Sequence, residues 1–166
     1  MQASFTREFE GPSYQDTAPE VAEPESCPNR DELRGRDKKD APIDVRMVTP
    51  ITESEALPPE QHIWLKPTDH LPDNSNLHLA LLIYASDRTL LDTAWRPHAH
   101  LGEHTGASLD HAVWVHNSTD FNKWHLYTMR SPASGSGRGL AFGGIHDETG
   151  KRIISTAQEG VMRLKG

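Results

Sequence analysis

Two short runs of the sequence bring polar groups capable of chemistry to apolar strands. Residues 108–116 read Ser-Leu-Asp-His-Ala-Val-Trp-Val-His, which sets Asp110 at the start of an apolar strand. Residues 157–163 read Ala-Gln-Glu-Gly-Val-Met-Arg, which sets Gln158 inside another. A carboxylate and a carboxamide that converge from two strands can hold and polarise one water molecule. Such a pair is the minimum equipment for hydrolysing a reactive ester without a covalent intermediate.

Taken from the residues alone, each candidate side chain has a second interpretation. Asp110 could be a solvated acid or a cap at a strand end, and Gln158 could be a structural amide that bridges strands. Gln158 shares a predicted strand face with apolar neighbours, where an amide without partners costs about 1–3 kcal/mol. Ser131 precedes Pro132, which holds it extended, and an ordinary strand-end serine is its simplest interpretation. The residues by themselves leave these alternatives open.

A longer part of the chain is similar to a known family. Both runs resemble the C-terminal half of the acyl-CoA thioesterase II family, and the similarity covers most of the chain from about Pro42 onward. The further segments that carry it are residues 77–87 (Leu-His-Leu-Ala-Leu-Leu-Ile-Tyr-Ala-Ser-Asp), 90–94 (Leu-Leu-Asp-Thr-Ala), 124–127 (Trp-His-Leu-Tyr), 131–132 (Ser-Pro) and 138–140 (Arg-Gly-Leu). The resemblance implies hydrolysis of fatty acyl-CoA to free fatty acid and coenzyme A.

The resemblance also implies roles for three residues and requires no cofactor. In the family, the aspartate of the first run orients and deprotonates the attacking water, and Asp110 occupies that position. Gln158 is implied to accept from and donate to the same water. A serine or threonine hydroxyl completes the set, and members differ by one position on its location; because Pro132 fills the neighbouring position here, Ser131 is the candidate.

Other kinds of site are less favoured by the sequence. No serine lies in a Gly-x-Ser-x-Gly elbow, so Ser131 is not expected to be a nucleophile, and the single cysteine, Cys27, lies outside the predicted domain. His98, His100 and His104 could ligate zinc on an extended loop, but a solvated loop is favoured because no companion cysteine or His-Glu-x-x-His pattern exists. The glycine-rich residues 134–139 lack the spacing of a phosphate-binding loop and lead into a strand.

Composition limits the choice of partners. The chain has 166 residues and a formal net charge of −7, which argues against a nucleic-acid partner. No apolar run approaches the roughly 20 residues of a membrane span, so no membrane partner is expected. With one cysteine and no signal-peptide core, we expect an intracellular protein, peroxisomal or cytoplasmic, although residues 164–166 (Leu-Lys-Gly) differ from the peroxisomal Ser-Lys-Leu signal.

The chain divides into an arm and a globular part. Residues 1–41 are acidic and Pro-rich with few large apolar groups, so we predict a largely irregular, loosely attached arm, with a stray strand at residues 3–7. The resemblance implies that this arm corresponds to the connector between two half-proteins. Residues 42–166 form the predicted thioesterase domain, which corresponds to the second half.

The predicted elements of this domain suggest one architecture. Strands are expected near residues 43–51 and 63–66, then a helix from Asn76 to about Trp95, apolar on nearly every side and therefore buried all round. Four strands follow, at about residues 109–116, 123–130, 139–146 and 152–164, the last two joined by a turn at residues 147–150. One apolar helix among antiparallel strands predicts an α+β hotdog fold, in which a curled sheet wraps the helix, and the resemblance implies the same.

A second function follows from the half-protein character. The family builds its site where two hotdog halves meet, and this chain supplies one. An open sheet edge and an apolar face favour self-association, so we predict a homodimer or higher homo-oligomer. The alternative to catalysis is a non-catalytic half that dimerises or pairs with an N-terminal half. Hydration of an enoyl-CoA ranks lower, since no Asp-x-x-x-x-His spacing lies on the predicted helix.

Overall fold

One antiparallel sheet forms the framework of the protein. The computed structural model describes residues 2–5, 10–37, 41–49 and 54–165. Within them lie seven strands: β1 (Ile43–Met47), β2 (Glu60–Pro67), β3 (His104–Ser108), β4 (Ala112–Val115), β5 (His125–Gly135), β6 (Arg138–His146) and β7 (Arg152–Leu164). The strand order is β1-β2-β5-β6-β7-β3, and β4 also pairs with β7. All the pairs are antiparallel.

A helical stretch crosses one face of this sheet. After the short α1 (Arg30–Leu33) come α2 (Ser75–Asp87), a turn, α3 (Asp92–Trp95) and a 3-10 helix (Arg96–Leu101). The Asn74 side chain caps α2 by accepting from the backbone N–H groups of Asn76 and Leu77, as Asn and Asp residues commonly do at this position. The stretch thus begins where the sequence predicted and extends one 3-10 helix further.

Burial of α2 differs from the expectation. The buried residues His78, Leu82, Ala85 and Ser86 follow helical spacing and form one face, which packs on the sheet. Leu77 is 40% exposed and Tyr84 is 54% exposed, so the prediction of burial all round is wrong. The reason is that a single sheet covers only one side of the helix. The other side presents apolar groups that nothing in the described part of the chain covers.

The main core lies between α2 and the sheet. Leu82 and Ala85 of the helix pack with apolar strand residues that are fully or almost fully buried: Ile43, Val45, Met47, Ile63, Leu65, Tyr127, Met129, Ala141, Ile145, Ile153 and Ile154. Apolar side chains alternate along β1 and β2 because successive strand residues point to opposite faces. An antiparallel sheet around one helix confirms the predicted hotdog architecture.

The edge of the sheet beside β7 is built differently from the prediction. The strand expected at residues 109–116 is shorter than predicted and consists of β4 alone. A further strand, β3, pairs with the C-terminal part of β7. The sequence of β3, His-Thr-Gly-Ala-Ser, has no apolar alternation because most of it is exposed, so its pattern did not predict a strand. Residues 109–111 connect β3 to β4, and Asp110 lies in this connection.

The remaining strands lie close to their predicted positions. β5 extends to Gly135, five residues beyond its predicted end, and β7 has the predicted bounds. The predicted hairpin at residues 147–150 is present: the Gly150 N–H donates to the Asp147 carbonyl at 3.0 Å. Gly150 has φ of 81°, a value that glycine adopts without strain. Ile51, expected near the first strand, lies outside the described residues.

The N-terminal arm is largely irregular, but its second part is firmly packed. Asn29, Arg30 and Asp31 are buried, and Asn29 caps α1 while its side-chain amide donates to Asp44 at 2.7 Å. Loose attachment is therefore wrong for this part, because polar contacts supply what the scarce apolar groups do not. Residues 3–5 carry no regular structure, and Thr6 and Arg7 lie outside the described residues. The domain boundary at residue 42 stays a prediction.

Candidate active site

Gln158 lies in the middle of β7, on the sheet face that carries the helix. It pairs with Ala141 of β6, and its side chain is fully buried. Ile154, Thr156, Gly160 and Met162 share its face and are buried as well, as the alternation of the strand predicted. A fully buried amide must satisfy its polar atoms within the protein.

The nitrogen of this amide has two strong partners. Nε2 donates to Oδ1 of Asp87 at 2.5 Å and to Oγ of Ser108 at 2.6 Å. An ionised carboxylate can only accept, so the nitrogen and not the oxygen of Gln158 must face Asp87. The oxygen, Oε1, is buried and has no hydrogen-bond partner among the described residues. The site therefore contains one amide of fixed orientation with an unused acceptor.

Asp110 lies beside this amide, in the exposed connection between β3 and β4. Its Oδ1 accepts from the backbone N–H of Glu159 at 2.8 Å, the residue that follows Gln158. The backbone N–H groups of Leu109 and Asp110 both donate to the Glu159 carbonyl. The carboxylate is thus tied by one oxygen to the strand that carries Gln158, and no other donor within the described ranges bonds to it.

Ser131 occupies an irregular point of β5. The pairing of β5 with β6 shifts between Arg130 and Ala133, and the Ser131 Oγ donates to the Leu140 carbonyl at 2.7 Å. Its backbone N–H donates to the Pro59 carbonyl at 2.8 Å. Because its one hydroxyl hydrogen is used, Ser131 can offer a substrate or water only a lone pair.

The three predicted site residues differ in how closely they are connected. Asp110 and Gln158 meet through Glu159, whereas β6 lies between Ser131 and Gln158 in the sheet. No hydrogen bond joins any two of the three in the described part of the structure. Ser131, Asp110 and Gln158 therefore remain a predicted set.

Sequence reasoning gave no role to Asp87 or Ser108, which hold the amide. Asp87 ends the run quoted for the family resemblance, and Ser108 begins the run around Asp110. The sequence contained one signal for Asp87: it is a carboxylate at the end of an apolar helix, where the helix dipole disfavours negative charge.

His111, the residue after Asp110, also belongs to this cluster. The Ser86 Oγ donates to the Ile83 carbonyl, so the His111 Nε2–H donates to Ser86 at 2.9 Å. Its Nδ1 lies 4.0 Å from Asp87 Oδ1. Burial lowers the pKa of His111, while Asp87 and Asp110 oppose this shift. The ring is therefore neutral at pH 7 and leaves the two carboxylates as the charges of the site.

The alternatives raised by histidines and glycines have ordinary structural explanations. His98 bonds the Ser134 Oγ at 2.7 Å, and His104 stacks on Trp95 with ring centroids 4.0 Å apart. Among the described residues, no group of three or more His, Cys, Asp or Glu side chains could hold a metal ion. The glycine-rich residues 134–139 form a tight hairpin turn between β5 and β6. No helix within the described ranges is long and apolar enough to cross a membrane.

The fold defines the class of protein. A protein with a hot dog fold from Alicyclobacillus acidocaldarius superposes with a TM-score of 0.69 over 96% of this chain and 60% of its own, at 14% identity. The match at this identity concerns the fold alone, and the fold is the hotdog.

The family follows from closer matches. A family model described as acyl-CoA thioesterase matches residues 34–161, and this chain belongs to that family. An acyl-CoA thioesterase II, TesB2, from Mycobacterium marinum superposes with a TM-score of 0.76 at 33% identity, over 96% of this chain and 60% of its own. Acyl-CoA thioesterase 2 of Haemophilus influenzae is 32% identical over 99% of this chain and 63% of its own length.

Another relative shows the same partial coverage. Acyl-coenzyme A thioesterase 8 of Mus musculus is 34% identical over 76% of this chain and 41% of its own length. The chain therefore spans less than two thirds of these relatives.

Proposed function

We propose that this chain hydrolyses fatty acyl-CoA to free fatty acid and coenzyme A by direct attack of water. Two observations carry the proposal: the Gln158 amide has a buried oxygen without a partner among the described residues, and Asp110 bonds the backbone N–H of Glu159, the next residue of the same strand. Family membership supports the reaction class. A thioester carbonyl is electrophilic enough for a water that is held and polarised, so no covalent intermediate or cofactor is required.

The proposed step uses two acceptors around one water. Asp110 accepts one hydrogen of the water and Gln158 Oε1 accepts the other, which leaves the oxygen lone pair free to attack the carbonyl carbon. Asp110 takes the proton as the carbon–oxygen bond forms. The carbon–sulfur bond then breaks, and the proton passes to the sulfur of coenzyme A as it leaves. Ser131 contributes a lone pair at the edge of this arrangement.

Asp110 suits this role because a carboxylate accepts hydrogen bonds from water and can take a proton from it. General-base assistance of this kind is typically worth about 10²–10⁴-fold in rate. We therefore expect Asp110→Asn to lower kcat by about 10²-fold or more, because the amide cannot take the proton.

The test measures thiol release from acyl-CoA esters of several chain lengths with a colorimetric thiol reagent. Asp69→Asn makes the same chemical change at an exposed position outside the site and should keep the wild-type rate. Gln158→Ala should lose most activity, and Ser131→Ala should lose less. Circular dichroism verifies that each variant is folded. A wild-type rate in folded Asp110→Asn would refute the mechanism.

A second candidate function is a non-catalytic half that dimerises or pairs with an N-terminal half. Two pairs of exposed apolar side chains favour association: Leu77 and Tyr84 on α2, and Trp114 and Val115 on the edge strand β4. Exposed apolar surface and an open sheet edge both favour binding to another chain. The coverage of less than two thirds of the relatives' length supports the same idea.

Light scattering combined with the thiol assay separates the two functions. A dimer that releases thiol supports catalysis by a self-associated half. A dimer without thiol release on any chain length supports the non-catalytic half, and restored activity on mixing with an N-terminal half would identify its partner. A monomer at micromolar concentration would contradict self-association. The proposal includes a peroxisomal or cytoplasmic location, which imaging of the tagged protein tests.

A further inference from the structure

The Asp87 carboxylate is set against the local electrostatics of its helix. It is the last residue of α2, where the helix dipole disfavours negative charge. Its side chain is 53% exposed, and no Lys or Arg within the described ranges pairs with it. Its nearest basic group is Nδ1 of His111 at 4.0 Å, in a ring whose pKa burial lowers. Neither the helix dipole nor a surface ion pair with a Lys or Arg residue explains a carboxylate here, which leaves its hydrogen bonds with the site.

Those contacts converge on a single amide. Asp87 Oδ1 accepts from Gln158 Nε2 at 2.5 Å and from Ser108 Oγ at 3.3 Å. Ser108 in turn accepts the second N–H of Gln158 at 2.6 Å. The three side chains form a closed set in which each donor has an acceptor. Both hydrogens of the Gln158 amide are thereby used.

The direction of these bonds decides what the amide can offer. A free carboxamide can rotate by half a turn and exchange its oxygen for its nitrogen at nearly the same shape. The Asp87 charge forbids this rotation, because it would bring two acceptors together. Gln158 is then restricted to its oxygen, which is buried and has no partner among the described residues. Without Asp87, either end of the amide could meet the water.

We propose that Asp87 is a positioning residue for the thioesterase reaction: its carboxylate, with Ser108, fixes the Gln158 amide so that the amide acts as an acceptor only. The inference rests on the proposed hydrolysis, and it narrows the role of Gln158 from donor and acceptor to acceptor. A water held between two acceptors points its lone pair outward, toward a thioester carbonyl. Asp87 touches neither the water nor the substrate in this arrangement.

The first test compares two substitutions of Asp87 by kinetics. Asp87→Ala removes the acceptor and should lower kcat about 10–100-fold with little change of KM, since misorientation of a catalytic group costs rates of this size. Asp87→Asn keeps a carbonyl oxygen that can accept from the same N–H but also permits the rotated amide, so its kcat should lie between those of Asp87→Ala and the wild type. Asp69→Ala serves as the exposed control. An unchanged kcat in folded Asp87→Ala would overturn the proposal.

The second test does not depend on activity. The two side-chain N–H protons of Gln158, assigned in ¹⁵N NMR spectra through their loss in Gln158→Ala, should resonate far from solvent-exposed amides in the wild type. Asp87→Ala should shift them and speed their exchange, and Asp87→Asn should do so less. Unchanged amide signals in Asp87→Ala would overturn the role of Asp87. If the wild type releases no thiol, the proposed hydrolysis fails, and the NMR result still decides whether Asp87 holds the amide.

Discussion

Gly139 is a point where β6 lies close to the helical layer. A methyl group added there would lie 2.5 Å from the Cβ of Ala94 in α3 and 2.8 Å from the sulfur of Met162. Ordinary carbon contacts lie at about 3.5–4.0 Å. The Met162 side chain can rotate away, but the Ala94 Cβ is fixed to the helix backbone. Gly139→Ala must therefore displace α3 from the sheet by about 1 Å.

The size of the effect follows from two opposing contributions. Overpacking of a close contact costs about 1–3 kcal/mol. Replacing glycine in a strand returns about 0.5–1 kcal/mol through backbone entropy. We expect a net loss of about 1–2 kcal/mol in the free energy of unfolding, measured by urea denaturation with circular dichroism. The measurement is made at one protein concentration, because the proposed self-association would add to apparent stability.

A double-mutant cycle tests the cause. Ala94→Gly removes the clashing methyl group and by itself costs about 1 kcal/mol in a helix. Combined with Gly139→Ala it exchanges the two sizes, so the double variant should be clearly more stable than the sum of the single losses. Gly135→Ala, where nothing lies within 4 Å of an added methyl group, is the matched control and should raise stability by about 0.5–1 kcal/mol through backbone entropy alone. Additivity within about 0.5 kcal/mol would refute the reasoning.

Three further predictions concern the core, acid stability and assembly. Tyr127→Phe should lower the free energy of unfolding by about 1–3 kcal/mol, because the fully buried hydroxyl bonds the Thr156 Oγ1 at 2.8 Å; an unchanged urea midpoint would contradict this. Burial lowers the pKa of five histidines, among them His125 and His146. Below about pH 6.5 the unfolded chain therefore binds more protons than the folded protein, and the free energy of unfolding should fall toward pH 5. The loss is at most about 1.4 kcal/mol per pH unit for each ring. Equal stability at pH 7 and pH 5 would disprove it. Trp114→Glu should shift the proposed homo-oligomer toward monomer in light scattering, and an unchanged mass would exclude the β4 edge from the proposed interface.

Much of the architecture could be predicted from local patterns. The alternation around Gln158 set its strand and its face correctly, and Asn74 marked the start of α2. Such signals are local, because strand alternation and helix capping depend on residues a few positions apart. β3 was missed for the same reason, since an exposed polar strand has no apolar alternation to reveal it.

The sequence by itself determined the fold class and the polar residues available for chemistry. The tertiary structure decided which of them meet: Asp87, Ser108 and Gln158 are separated by 21 to 71 positions and form one hydrogen-bonded set. It also decided that this amide offers its oxygen, because donor and acceptor directions depend on partners that the strand pattern does not specify. Residues distant along the chain are brought together only when the sheet closes over the helix, and that packing fixed the direction of each bond.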